Sequence, residues 1–91
     1  METRKCVVRG RVQGVGFRWF VTRNAKDLGV RGTVRNRTDG AVEAVLQADG
    51  PEPVESLIAR IRSGPPASRV EAVDCAPVDD GARFERFEVT G

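Results

Sequence analysis

The dipeptide Asp39-Gly40 separates two runs in which apolar and polar residues alternate, and this feature limits the fold more than any other. Asp-Gly suits a tight turn, and a tight turn fixes the register of the strands on either side of it. From Val30 to Arg37 the residues Gly32, Val34 and Asn36 face one way and Thr33, Arg35 and Arg37 the other. From Ala41 to Ala48 the residues Val42, Ala44 and Leu46 share one face, with Glu43 and Gln47 opposite. These runs are expected to be the second and third strands, adjacent and antiparallel.

The hairpin is flanked on each side by one helical stripe and at least one further strand. Residues 5 to 12 alternate, with Cys6, Val8, Gly10 and Val12 on one side, as in a strand with one packed face. Phe17, Phe20, Val21, Ala25 and Leu28 then recur at helical spacing up to Gly29, which can close a helix in the left-handed conformation. After Ala48, Gly50-Pro51-Glu52 opens a second helix, and Val54, Leu57, Ile58 and Ile61 form its single apolar stripe. Gly64-Pro65-Pro66 breaks it. Arg69 to Val78 reads as strand four, with a change of phase between Val70 and the pair Val73 and Cys75 that predicts a bulge. Phe84 to Val89 supplies a fifth strand.

The order β-α-β-β-α-β-β, with each helix apolar on one side only, predicts an α+β ferredoxin-like sandwich. An antiparallel five-stranded sheet would carry both helices on one face. The 91 residues leave room for one domain spanning 1–91 and one core. With 40% hydrophobic and 31% charged residues, the chain has the balance of a folded globule rather than of a disordered one. No apolar run approaches the roughly 18 residues of a membrane span. Met1-Glu2-Thr3-Arg4-Lys5 lacks the apolar stretch of a secretory signal, so the expected location is the cytoplasm.

Histidine is absent, which removes imidazole bases, histidine-paired nucleophiles and histidine metal ligands. Cys6 and Cys75 lack the spacing of a zinc or thioredoxin-like motif. They would approach each other if strands one and four pair, but a cytoplasmic setting favours two free thiols. Residues 1 to 37 carry ten Lys or Arg against two acids, and residues 38 to 91 carry five against eleven. In a domain this small the two parts interleave in space, so this asymmetry is weak support for a nucleic-acid partner.

The segment able to carry chemistry is Gly10-Arg11-Val12-Gln13-Gly14-Val15-Gly16-Phe17-Arg18, between the first strand and the first helix. Its glycines let backbone N–H groups converge, and the helix begins without a Ser, Thr, Asp or Asn cap. An anion there would satisfy those donors and the positive helix end, with Arg18 adding a forked contact. A tight turn that binds water, beside an ordinary surface arginine, is the competing reading. The segment matches neither a Walker A loop nor a dinucleotide fingerprint. Trp19, Phe20 and Phe17 read as core or shielding residues around the loop, Asp39 and Glu43 as turn and hairpin residues. Asn36 on its own reads as a strand-end residue bonding nearby backbone.

The stretch Gly10 to Arg18 resembles the acylphosphatase signature Gly-x-Val-Gln-Gly-Val-x-Phe-Arg at every defined position. Gly32-Thr33-Val34-Arg35-Asn36 with Asp39-Gly40-Ala41-Val42-Glu43 is similar to that family's second motif. The resemblance spans nearly the whole chain. It implies hydrolysis of acyl phosphates to a carboxylate and inorganic phosphate, by direct attack of water, without metal, cofactor or phosphoenzyme. It implies that Arg18 holds the phosphoryl group with backbone N–H groups of Gln13, Gly14, Val15, Gly16, Phe17 and Arg18, and that Asn36 positions the water. The implied partner is a small-molecule acyl phosphate, bound by a monomer with no nucleic-acid or membrane partner. A phosphate- or nucleic-acid-binding module of the same fold, without turnover, is the alternative. The chain's last residues, Glu88-Val89-Thr90-Gly91, depart from members that end in an aromatic residue after a basic one.

Overall fold

The computed structural model describes residues 1–91. Its elements follow in the expected order: β1 (Glu2–Arg11), α1 (Phe17–Leu28), β2 (Arg31–Asn36), β3 (Val42–Ala48), α2 (Pro51–Ser63), β4 (Arg69–Pro77) and β5 (Phe87–Val89). They form one sheet in the order β4-β1-β3-β2-β5. Because β3 is antiparallel to both β1 and β2, those two strands run the same way and end at the same rim. The loop after β1 and the end of β2 are thereby neighbours.

The periodicities predict the core. Cys6, Val8, Val34, Val42, Ala44 and Leu46 are fully buried on one side of the sheet, against Phe17, Val21 and Ala25 of α1 and Val54, Leu57, Ile58 and Ile61 of α2. Burying one such aliphatic side chain is worth about 1.5–3 kcal/mol, so the α2 stripe alone is a large part of what holds that helix down. The bulge falls in β4 as its phase change requires: Arg9 pairs with Ala72 and Gly10 with Val70, leaving Glu71 as the extra residue. No helix is long and apolar enough to cross a membrane.

The structure corrects the sequence reading at three places. First, the sheet is not wholly antiparallel, because β5 pairs parallel with β2, Gly32 opposite Phe87 and Val34 opposite Val89. β4 runs opposite to β1, and segment 78–86 crosses the end of the sheet past Thr3 and Gln47. The chain then returns in the direction of β2, which makes the last pairing parallel. Second, Gln47 lies on the polar face of β3 and is nonetheless only 1% exposed. The crossing segment covers it, and its carboxamide donates to Thr3 Oγ1 (2.9 Å) and the Ala82 carbonyl (2.8 Å) while accepting from Phe84 N–H (3.0 Å). A buried amide with three partners is satisfied rather than costly.

Third, Cys6 and Cys75 are joined as a disulfide instead of standing as free thiols. They are direct cross-strand partners of β1 and β4 with Cα atoms 4.1 Å apart, so the register that aligns the strands also brings the sulfurs together. The basic and acidic parts of the chain interleave as expected. Lys5, Arg35 and Arg37 all pair with Glu43, and Arg9 and Arg37 with Asp39.

Candidate active site

Five residues, Val12 to Gly16, connect the end of β1 to the start of α1. Gly14 and Gly16 turn the chain with left-handed φ angles of 74° and 77°, a region that side chains with a Cβ rarely enter. Gly16 is the N-cap of α1 and provides no side-chain cap, and the first turn holds no acidic residue. None of the N–H groups of Gln13, Gly14, Val15 or Gly16 donates to a backbone carbonyl. The first N–H groups of α1 have no intrahelical acceptor either, and they carry the positive end of the helix dipole. The result is a concentration of unpaired donors at one rim of the sheet.

The loop is tied to the β2–β3 hairpin by Gln13, whose side-chain amide donates to the carbonyls of Arg37 (2.8 Å) and Ala41 (3.0 Å). The hairpin is in turn closed by Asp39, which accepts from Ala41 N–H at 3.1 Å and pairs with Arg37 at 3.1 Å and Arg9 at 3.4 Å. The Ala41 N–H bond, and after it the positive charges of Arg37 and Arg9, hold the Asp39 carboxyl below its ordinary value. Asp39 is thus a turn residue, as the sequence suggests, with its carboxylate engaged in the hairpin.

Arg18, in the first turn of α1, and Asn36, at the end of β2, line one cleft of about 380 Å³ together with Gly14 and Gly16. Arg4, Arg9, Arg31, Arg35, Arg37, Arg60 and Arg86 each pair with a carboxylate side chain, whereas Arg18, like Arg11, Arg23, Arg62, Arg69 and Arg83, pairs with none. The Arg18 Nη1 donates to the main-chain oxygen of Gly91, the last residue of the sequence. The backbone N–H of Asn36 reaches the same oxygen at 3.5 Å. A guanidinium and a backbone N–H from distant parts of the chain therefore converge on one oxygen.

Not every residue proposed from the sequence lies on the cleft. Gly14, Gly16, Phe17, Arg18 and Asn36 do. Gln13 and Val15 do not: the Gln13 side chain is engaged with the hairpin, and Val15 packs against the core. The sequence reading missed Val12 and Thr22, which also line the cleft, and three further participants. Trp19, read as a core or shielding residue, is 63% exposed and lines the cleft with Val89 of β5, while Gly91 supplies the oxygen on Arg18. Trp19 was legible in part, since two helical steps of 100° carry it away from the stripe begun by Phe17. Nothing local in the sequence signals Val89 or Gly91.

The acylphosphatase family model matches residues 4–89. The chain belongs to the acylphosphatase family. An acylphosphatase of Thermococcus kodakarensis is 50% identical over 84 residues, covering 92% of this chain and 90% of that one. The crystal structure of acylphosphatase from Bacillus subtilis superposes with a TM-score of 0.95 at 32% identity, over the full length of both chains. Thermococcus kodakarensis HypF contains a similar portion: it matches all of this chain with 12% of its own length, at a TM-score of 0.87 and 29% identity. The acylphosphatase fold is therefore shared with a stand-alone chain and with a segment of a much longer protein.

Proposed function

We propose that this acylphosphatase-family chain hydrolyses the carboxyl–phosphate bond of acyl phosphates, releasing a carboxylate and inorganic phosphate. The observation that carries this reading is the convergence of the Arg18 guanidinium and the Asn36 N–H on a single oxygen, beside a loop of unpaired N–H groups. A phosphoryl group presents several oxygens bearing negative charge, and the same donors suit it. In this reading Arg18 and the backbone N–H groups from Gln13 to Arg18 hold the phosphoryl group. Asn36 orients the attacking water.

The chemistry asks little more of the protein. A new bond forms from the water oxygen to phosphorus as the bond from phosphorus to the carboxyl oxygen breaks, and the electron pair leaves with the carboxylate. Such a leaving group has an acid pKa near ~4.3, so it departs without a proton from the enzyme. The proton of the water passes to a phosphate oxygen. Charge accumulates on the equatorial oxygens in a loose transition state, where fixed donors act without having to reorganise. A chain without histidine can therefore run the reaction, with neither a phosphoenzyme nor a metal in the scheme.

Release of phosphate from benzoyl phosphate tests the proposal. Wild-type protein should turn it over, and Arg18→Ala should lose about 10²- to 10³-fold or more in kcat/KM. Phosphate binding without turnover by the wild-type protein would make the chain a binding module. Near-normal activity in Arg18→Ala would remove Arg18 from the site.

A further inference from the structure

The cleft, at about 380 Å³, is larger than a phosphoryl group requires, and its lining is mixed in character. Its lining combines the polar residues Arg18 and Asn36 and the glycines Gly14 and Gly16 with the apolar side chains of Phe17, Trp19 and Val89. Only three large hydrophobic side chains of the molecule are exposed: Met1 at 61%, Trp19 at 63% and Val89 at 49%. Two of those three line this one cleft, which is a concentration that scattered surface hydrophobes would not give.

Both apolar residues are held in place. The Arg23 guanidinium sits 5.2 Å from the centre of the Trp19 ring, one helical turn further along α1. That contact restricts the ring before any ligand arrives. Val89 closes β5 opposite Val34, and the next residue, Thr90, donates its N–H to the Val34 carbonyl at 3.0 Å. The wall it forms is therefore part of the sheet. Preorganised apolar surface contributes to binding without the cost of ordering it first.

We infer that Trp19 and Val89 form the seat of the acyl group, so that these two side chains set how far the site discriminates an aromatic acyl group from acetyl. This rests on the proposed function, since the phosphoryl group at Arg18 is what brings the acyl group into the cleft that Trp19 and Val89 line. Arg23 is a positioning residue, acting on the substrate only through the Trp19 ring.

The test compares benzoyl and acetyl phosphate as substrates for the wild-type protein, Trp19→Ala, Trp19→Phe and Val89→Ser. Dividing each variant's benzoyl-to-acetyl ratio of kcat/KM by that of the wild type cancels the intrinsic reactivity of the two substrates. The ratio should fall about tenfold in Trp19→Ala, mainly through KM for benzoyl phosphate, fall less in Val89→Ser, and be largely restored in Trp19→Phe. Trp19 is the single tryptophan, so its emission reports the seat directly: benzylphosphonate should shift it and methylphosphonate should not. Turnover of both substrates with an unmoved ratio in Trp19→Ala overturns the seat alone. Turnover of neither by the wild-type protein refutes the proposed function, and the seat with it.

Discussion

Gln13 and Arg37 stand 24 positions apart, yet the carboxamide of the first donates to the carbonyl oxygen of the second at 2.8 Å. With its second bond to Ala41, Gln13 fixes the distance between the glycine turn that follows β1 and the hairpin that follows Asn36. Its side chain is spent on architecture, although it belongs to the most diagnostic stretch of the sequence.

Gln13→Ala should therefore act on stability and turnover together. Two hydrogen bonds at about 1 kcal/mol each suggest a loss of roughly 1–2 kcal/mol in urea unfolding. Phosphate release should fall more than this loss of folded protein accounts for, because Arg18 and Asn36 no longer hold a fixed separation. Activity that tracks only the folded fraction would assign Gln13 to stability alone.

Asn36→Ala should lower kcat more than it raises KM if the carboxamide orients water rather than holding the phosphoryl group. The backbone N–H at 3.5 Å from the Gly91 oxygen survives that substitution, so binding of inorganic phosphate should persist. Equilibrium dialysis against phosphate, run beside the kinetics, separates the two effects.

The Cys6–Cys75 disulfide joins residues 69 positions apart, and closing so long a loop takes much conformational freedom from the unfolded chain. Reduction by a dithiol should lower the unfolding free energy by about 2–4 kcal/mol, measured as a shift of the urea midpoint. The Cys75→Ser variant should be no more stable than the reduced protein and should not respond to the reductant.

Asp39 predicts a weakness in acid. Its carboxyl is held below its ordinary value in the folded state, chiefly by the Ala41 N–H, so it binds protons less readily folded than unfolded. The stability it adds is complete above the ordinary carboxylate value and disappears as the pH falls through the lowered folded value. A carboxyl NMR titration should place the Asp39 midpoint below that of an unstructured aspartate, and Asp39→Asn should abolish this part of the acid dependence. A midpoint at or above the ordinary value would show that the turn contacts do not form in solution.

What the sequence discloses here is what short-range patterns can encode. The stripe Val54, Leu57, Ile58 and Ile61 and the alternation through Val42, Ala44 and Leu46 each record one buried face, and both faces are where the spacing puts them. Asp39-Gly40 marks the hairpin for a similarly local reason. Gln47 defeats the same logic, because a polar residue on the outer face of β3 is covered by a segment more than 30 positions later that carries no periodicity of its own. The parallel pairing of β5 depends on that segment too. Of the residues on the cleft, Arg18 and Asn36 were visible through motif and resemblance, whereas Val89 and Gly91 arrive by long-range topology. The disulfide was misjudged because compartment was weighed above strand register.

The sheet's borders carry a further consequence. On one border β5 pairs with β2 for just three residues, and on the other β4 is bulged at Glu71, bears exposed charges and is bolted to its neighbour through Cys75. Short, kinked or charged margins are poor templates for a strand from another molecule. The protein is thereby armoured against fibrillar self-association, most of all while the sulfur bridge keeps its outer margin from peeling away.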